Sequence, residues 1–366
     1  MRLTRWTVAG PLLAVALLIA LFLASCGGKA PQPTPTPTPS PTPTTGPGSS
    51  VAYSPSPVLL PKDDAPHADA TVEWWYYNGH ITTLAGAPYG FHFVVFQVRP
   101  PGLGTVGVAH VALTDPQQRT YITDQRLTFG TPIAQAADSF AFTIGGWTLQ
   151  GGNGRDAFQA DAGAFQLGAV LQETRPSVLH GGSGYVSYGD GSGSYYYSRT
   201  RMSVSGSLTL QGAIHPVQGE AWFDHQWGQF QPQAIGWDWF ALQLEDGSDV
   251  MLYTLRDVQG NALSDFGTLV SPDGNAKTLS GADFSLTPGN AWTSPKSGIV
   301  YPVDWMVTIP SKGLTLKLTP LMPESEFDGA RTTGNSYWEG EVSVSGSATG
   351  RGFVEMVRFP PASPQK

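Results

Sequence analysis

The densest group of chemically capable side chains is Glu220-Ala-Trp222-Phe-Asp224-His225-Gln-Trp227-Gly228, followed by Gly236-Trp237-Asp238-Trp239-Phe240. Successive side chains of a strand point to opposite faces. Trp222, Asp224 and Gln226 would therefore share one face, and Phe223, His225 and Trp227 the other. An Asp among indole rings loses hydration, so its pKa rises and it can keep a proton near neutrality. A His beside it can orient water or pass a proton, and indole faces attract developing positive charge. These are parts for acid–base chemistry on an apolar substrate that passes through a cationic centre. The bland alternative is a barrel core in which the Asp and His satisfy backbone groups at a domain junction.

A second group is Glu73-Trp74-Trp75-Tyr76-Tyr77-Asn78-Gly79-His80. Alternation sets Glu73, Trp75 and Tyr77 on one face and Trp74, Tyr76 and Asn78 on the other. An acid flanked by aromatics can line a cavity or cap an aromatic core. His92, in the run Phe91–Val98, would join the same cavity; alone it reads more readily as a satisfied core His. There is no His-Glu-x-x-His, no Gly-x-Ser-x-Gly and no phosphate-binding Gly loop with Lys. The stretches Gly182-Ser-Gly184 and Gly191-Ser-Gly193 read as a flexible loop. The seven His are scattered without compact metal-ligand spacing, and there is one Cys. No metal and no cofactor are expected.

The elements that must position these residues read as strands. Gly90–Arg99, Val106–Leu113, Ser139–Leu149 and Ala157–Leu171 are rich in aromatic and β-branched residues. Asp246-Gly247, Ser271-Pro-Asp-Gly274 and Ser311-Lys-Gly313 are turn signals. Of 366 residues, 44 are Gly and 31 Pro, and only 13% are charged. No sustained helical period is present. Ser203-Val-Ser-Gly-Ser207 recurs as Ser343-Val-Ser-Gly-Ser347, each followed by a Gly and a strand with an acid, Glu220 or Glu355. A tandem duplication follows, with domains at 62–218 and 219–366. The expected fold is all-β: two tandem antiparallel β-barrel domains.

The N-terminus has a different character. Arg2 and Arg5 precede an apolar run, Leu12–Leu23, too short to span a bilayer of about 30 Å. It ends Leu23-Ala-Ser-Cys26, which resembles the bacterial lipobox. That resemblance implies a signal peptide at 1–25 and lipid on Cys26. Residues 26–61 form a Thr/Pro-rich tether, extended because alternating Pro removes backbone donors and fixes φ. Loss of Arg2 and Arg5 takes the net charge from −8 to −10. Nucleic acid, which needs a basic face, is excluded as a partner. The expected station is extracytoplasmic, anchored to the bacterial membrane through Cys26, as a monomer.

Five ordered motifs carry a family resemblance: Glu73–His80, Tyr89-Gly-Phe-His-Phe93, Asp224–Gly228, Gly236–Leu244 and Tyr337-Trp-Glu-Gly340. Together, across about Asp64–Phe359, they resemble the AttH/carotenoid 1,2-hydratase family, often labelled lipocalin-like or "predicted secreted hydrolase". The resemblance implies two lipocalin-like barrels with a ligand region near their junction, and hydration or cyclisation of apolar natural products. His225 and Trp227 match the His and Trp of the hydratases' Asp-His-x-Trp motif. Tyr253 matches their following Tyr, although the acid that closely follows it there has no counterpart before Asp257.

The reading is an exported, lipid-anchored protein that binds an apolar molecule such as an isoprenoid or lipid. As an enzyme it would be a hydratase-like lyase acting on a C=C bond without metal. Asp224 would be the acid, His225 would position water or a proton, and Trp227 and Tyr253 would face the cation. Glu73, Trp75, Tyr77, His92, Trp222, Trp237, Asp238 and Trp239 would bind the ligand. A non-catalytic carrier or surface-attachment protein, and a secreted hydrolase, are the alternatives.

The anchor is testable directly. Cys26→Ser should abolish labelled-palmitate incorporation and membrane retention while the body still folds. Equal labelling of mutant and wild type would contradict the lipobox reading.

Overall fold

The computed structural model describes residues 55–100, 102, 104–130, 137–188, 192–229 and 235–359. The signal segment, Cys26 and most of the tether lie outside the described residues. Residues Pro57–Lys366 form one compact unit. The body begins earlier than residue 62: Val58 is buried, and its N–H donates to Ser183 O at 2.8 Å. The Gly182–Gly184 stretch, expected as a flexible loop, is thereby a hydrogen-bonded turn.

The first sheet contains β1 (Val72–Thr83), β2 (Pro88–Val98), β3 (Val106–Asp115), β4 (Thr120–Phe129), β5 (Phe140–Ile144), β6 (Trp147–Gly152), β7 (Arg155–Asp161), β8 (Phe165–Glu173), β9 (Val178–Leu179), β10 (Tyr185–Ser187), β11 (Gly193–Leu210) and β12 (Ala213–Gly228). The second half contains β13 (Gly236–Leu244), β14 (Asp249–Arg256), β15 (Ala262–Val270), β16 (Ala276–Ser280), β17 (Ser285–Pro288), β18 (Ala291–Thr293), β19 (Val300–Pro302), β20 (Trp305–Ile309), β21 (Leu314–Pro320), β22 (Glu326–Asp328), β23 (Ser336–Gly346) and β24 (Gly350–Val357). Among the described residues the helical elements are two three-residue 3-10 turns, Lys62–Asp64 and Pro310–Lys312.

The two large sheets follow the same pattern of strand order, and β18 and β19 pair as a separate two-stranded sheet. The first runs β4-β3-β2-β1-β12-β11-β8-β7-β6-β5, and the second β16-β15-β14-β13-β24-β23-β21-β20-β17. One sheet is a nearly closed barrel and the other a half-barrel. The division at 218/219 falls inside β12, which pairs with β1 and β11 on its two sides up to Gly228. The passage between sheets therefore lies between Gly228 and Gly236. The Asp246-Gly247 turn joins β13 to β14, with Gly247 at φ +88°, a conformation that costs an L side chain energy.

Burial explains why some strands alternate and others do not. At the periphery, β7 and β20 show inward apolar residues between exposed ones. The central strands β1 and β13 are buried on both faces, so they read as unbroken aromatic runs. One face of β1 sends Trp75 and Tyr77 into the first sheet's core, with Phe93, Phe158 and Phe223. The other sends Tyr76 against Trp239, Met251, Tyr253 and Phe353 of the second sheet. Hydrogen bonds and ion pairs fasten this junction. His80 meets Glu341 at 2.5 Å, and Arg175 and Arg201 each hold buried Asp249 at 2.9 Å.

One buried charge cluster organises the first core. Arg199 donates to Asp64 at 2.5 Å and Asp156 at 3.0 Å, while the hydroxyls of Tyr197 and Tyr77 cover the same two acids. Replacing Arg199 with Met would leave two enclosed carboxyls without their cation, a loss of about 3–5 kcal/mol. Urea unfolding at pH 7 measures this; a change below about 1 kcal/mol would show that the cluster is not structural.

Candidate active site

The junction holds two acid clusters at matching positions in the repeated strand order. Ser203 of β11 opposes Glu220, and Ser343 of β23 opposes Arg351. Four residues further, β12 carries Asp224 and β24 carries Glu355. The register therefore equates Glu355 with Asp224, not with Glu220 as the sequence echo suggested. Asp224 sits between Tyr76 of β1 and Ser198 of β11; Glu355 sits between Trp239 of β13 and Glu339 of β23.

Each cluster is completed from the opposite sheet. Asp224 accepts from Ser198 Oγ at 2.5 Å, Tyr196 Oη at 2.6 Å and Trp222 Nε1 at 2.6 Å. Trp239 reaches across to donate its Nε1–H to Tyr196 Oη at 3.0 Å. In return, Tyr76 donates to Glu339 Oε1 at 2.5 Å; within the second sheet, Trp237 donates to Glu355 Oε1 at 2.8 Å. The Glu339 and Glu355 carboxyls are within hydrogen-bonding reach of each other. Glu339 Oε2 meets no N–H or O–H donor, so that bond forms when one of the two acids is protonated.

The surroundings set the proton affinities. Burial pushes Asp224 up to about 6, against its three hydrogen bonds. Burial pushes Glu355 up to about 7; the Trp237 and Glu339 hydrogen bonds oppose this, and the Asp224 charge adds to it. Glu339 rises well above the usual carboxylate range, from burial first and then the Glu355 charge. Behind Asp224, Ser198 Oγ lies 2.7 Å from His180 Nε2, and His180 Nδ1 lies 2.8 Å from Thr268 Oγ1. Burial depresses His180 to about 3, so it stays neutral. The apolar wall combines Trp222, Trp239, Tyr253 and the half-buried Trp74, Trp237, Phe96 and Phe266. Tyr253 Oη is buried without a partner.

A second polar cluster lies on the opposite face of the same strands. Glu73 Oε1 accepts from His67 Nδ1 at 2.8 Å and His225 Nε2 at 2.9 Å. Trp227 stacks on His67, with centroids 3.9 Å apart, and Trp75 stacks on His225 at 4.6 Å. Burial alone would raise Glu73, but the hydrogen bonds and charges of His225 and His67 outweigh it and hold Glu73 below the usual value. Burial lowers His225 despite Glu73. His67, Glu73 and His225 are the residues that could hold a metal ion, their ligand atoms all within 4.8 Å of one another. A cavity of about 320 Å³ opens near this end of the first sheet, with Asp64, Glu173 and Arg199 among its walls.

A family profile described as AttH-like matches residues 51–358. The chain belongs to the AttH-like family. The crystal structure of an AttH from Nitrosomonas europaea is 30% identical and covers 83% of this chain and 98% of its own, with TM-score 0.76. Kievitone hydratase of Fusarium solani subsp. phaseoli is 23% identical over 251 residues, 66% of this chain and 60% of that protein. The crystal structure of kievitone hydratase from Nectria haematococca shares the fold at 19% identity and TM-score 0.67, covering 83% of this chain and 94% of its own.

Within this AttH-like fold the sequence-derived site residues divide. Asp224, Trp222, Trp237, Trp239 and Tyr253 meet at the junction. His225, Trp227, Glu73, Trp75 and Tyr77 face the first sheet's interior, so they do not share one pocket with Asp224. Strand alternation is the cause. His92 is on the junction side of β2, 3.2 Å from Tyr337 Oη, and burial depresses it to about 3. Asp238 points away from the junction and is held by Arg256 at 2.7 Å and by Arg358. Glu339, Glu355, Tyr196, Ser198, His180 and His67 were missed. Glu339 lies in the Tyr337–Gly340 motif, and aligning the Ser-Val-Ser-Gly-Ser repeat by strand partners would have flagged Glu355.

The raised carboxyls predict a pH signature. A carboxyl whose folded pKa is raised holds its proton more tightly when folded. Its contribution is present near pH 4 and is lost as pH climbs through about 6 for Asp224 and about 7 for Glu355. Relative to wild type, Asp224→Asn should gain roughly 3 kcal/mol of stability between pH 4 and pH 8. Urea unfolding at the two pH values reads this difference, and a difference that stays constant would contradict the raised pKa.

Proposed function

We propose that the junction binds an apolar unsaturated molecule, such as an isoprenoid or lipid, and adds water across a C=C bond by acid–base catalysis. The observation that carries this reading is the pair Asp224 and Glu355. They occupy equivalent register positions, are electrostatically coupled, are poised at different values near neutrality and are walled by indole rings. Two enclosed carboxyls raised toward neutrality suit proton transfer. The hydratase name of a relative supports the same reaction class.

In this reading the Glu339–Glu355 pair is the acid. Glu355 gives its proton to one alkene carbon, and the other carbon becomes cationic. The Trp237 and Trp239 faces and the ionised Asp224 stabilise that centre. Water adds to the cation, and its surplus proton returns to the Glu pair. The sum is alkene plus water to alcohol. This moves the acid role from Asp224 to Glu355, because Asp224 already has three donors and is completely enclosed. Tyr253 Oη, without a protein partner, is placed to hold the water or a ligand oxygen. Export and anchoring through Cys26 belong to the same proposal.

A hydrolase reading has less support. Ser198 and His180 are a bonded Ser–His pair, but Ser198 is fully buried and its hydroxyl is within hydrogen-bonding distance of Asp224. A carrier would use the same aromatic wall without turnover.

The test is incubation of the protein with a panel of terminal-alkene isoprenoids in ¹⁸O-labelled water, followed by mass spectrometry. A labelled alcohol is expected. The rate should fall below pH about 6, where Asp224 is protonated, and above about 7, where Glu355 is ionised. Glu355→Gln should reduce turnover by about 10²–10⁴-fold. Ligand retained without label would leave the carrier reading, and undiminished turnover in Glu355→Gln would remove Glu355 from the chemistry.

A further inference from the structure

We propose that His67, Glu73 and His225 form a binding site for one divalent cation of the zinc class, separate from the junction. It revises the expectation, drawn from sequence spacing alone, that the chain holds no metal. His225 is 152 residues from Glu73 and meets it because β1 pairs with β12, while His67 lies six residues before Glu73. His67 comes from the segment that precedes β1 and crosses the end of the first sheet.

The geometry is that of a two-His, one-carboxylate donor set. The presented atoms are His67 Nδ1, His225 Nε2 and Glu73 Oε1, with both imidazole nitrogens already converging on that single oxygen at 2.8 and 2.9 Å. A zinc-class ion bonds such ligands at about 2.0–2.1 Å, which needs ligand atoms roughly 3.3 Å apart. The two N–O contacts need to widen by about half an ångström, and the two imidazole nitrogens, within 4.8 Å of each other, need to settle at a similar spacing. Glu73 Oε2 is occupied by the His67 backbone N–H at 2.9 Å, which leaves Oε1 for the ion.

The supporting shell is also in place. When His225 Nε2 binds a cation, its Nδ1 carries the proton. Tyr197 Oη lies 3.3 Å from Nδ1 and itself donates to Asp64. His67 Nε2 lies 3.7 Å from Asp63 Oδ1. His225 thus has a hydrogen-bonded oxygen behind it, the pattern that orients metal-binding His, and His67 has a carboxylate nearby, beyond hydrogen-bond distance. Each ring plane is also fixed by an indole, Trp227 on His67 and Trp75 on His225. Glu73 and His225 are fully buried, whereas His67 is about one-fifth exposed. The solvent side of His67 is where a fourth ligand, water, would enter. The bound ion would clasp the segment before β1 to β1 and β12.

The experiment uses the full chain, stripped with chelator and then dialysed against Zn²⁺ alone. Wild type should take up one Zn²⁺ per chain and melt at a higher temperature with it than without. Co²⁺ in its place should give tetrahedral visible absorption. His67→Ala removes the most exposed ligand; it should lower affinity at least 100-fold, and its melting temperature should not rise when Zn²⁺ is added. Glu73→Gln, a second variant, should lose binding too, and His215→Ala should bind like wild type. Wild type without stoichiometric Zn²⁺ at micromolar free ion, or His67→Ala binding as tightly as wild type, would overturn the proposal.

Discussion

The pairing of β1 with β12 is the constraint on which both candidate sites depend. These strands lie mid-sheet, and their paired stretches Val72–Ile81 and Ala221–Trp227 are covered on both faces, so nearly every side chain there is buried. Period-two alternation then sorts their polar groups without exception. Tyr76 and Asp224, opposite each other in register, go to the junction; Trp75 and His225, the next pair, go to the first sheet's interior. A slip of one residue would exchange the two sets, placing Glu73 and His225 against the second sheet. The polar chemistry and the aromatic cores therefore fix the same register.

Equal burial gives opposite outcomes for Asp224 and Glu73, and partner type decides which. Desolvation pushes both carboxyls up. Glu73 faces two imidazoles that can carry charge, and these outweigh burial. Asp224 faces a hydroxyl, a phenol and an indole, all neutral, and these only reduce the rise. For Glu355 the hydrogen bonds of Trp237 and Glu339 only reduce the rise, and the Asp224 charge across the junction adds to it. The first face thus holds an anion beside two imidazoles, and the second holds a proton near neutrality. The converging donor atoms of His67, Glu73 and His225 are the reason to assign ion binding to the first face, and the raised carboxyls the reason to assign proton transfer to the second.

Much of this was legible in the chain. Gly-rich turns and the missing helical period give the all-β class, and strand alternation separates Asp224 from His225. The expectation that Asp224, His225 and Trp227 share one pocket fails on that same alternation. His67 was invisible because it sits in a Pro-rich segment outside any strand run and joins the cluster only through tertiary contact. Glu339 and Glu355 were obscured because strand partnership, not flanking Gly residues, sets the true equivalence in the repeat. The boundary at 218/219 missed because β12 belongs wholly to the first sheet, although its motif resembles the start of a new unit. In Ser139–Leu149 and Ala157–Leu171, apparently single runs are hairpins that turn at Gly145-Gly146 and near Ala162–Ala164.

The central claim is that the junction stores a proton near neutrality on enclosed carboxyls. Its most direct measurement is ¹³C NMR titration of the protein with Asp and Glu labelled at the side-chain carboxyl. The account predicts one Asp resonance titrating near 6 that vanishes in Asp224→Asn, and one Glu resonance near 7 that vanishes in Glu355→Gln. If the resonances lost in these variants titrate below about 5, among ordinary carboxylates, the junction holds only anions and the account is contradicted.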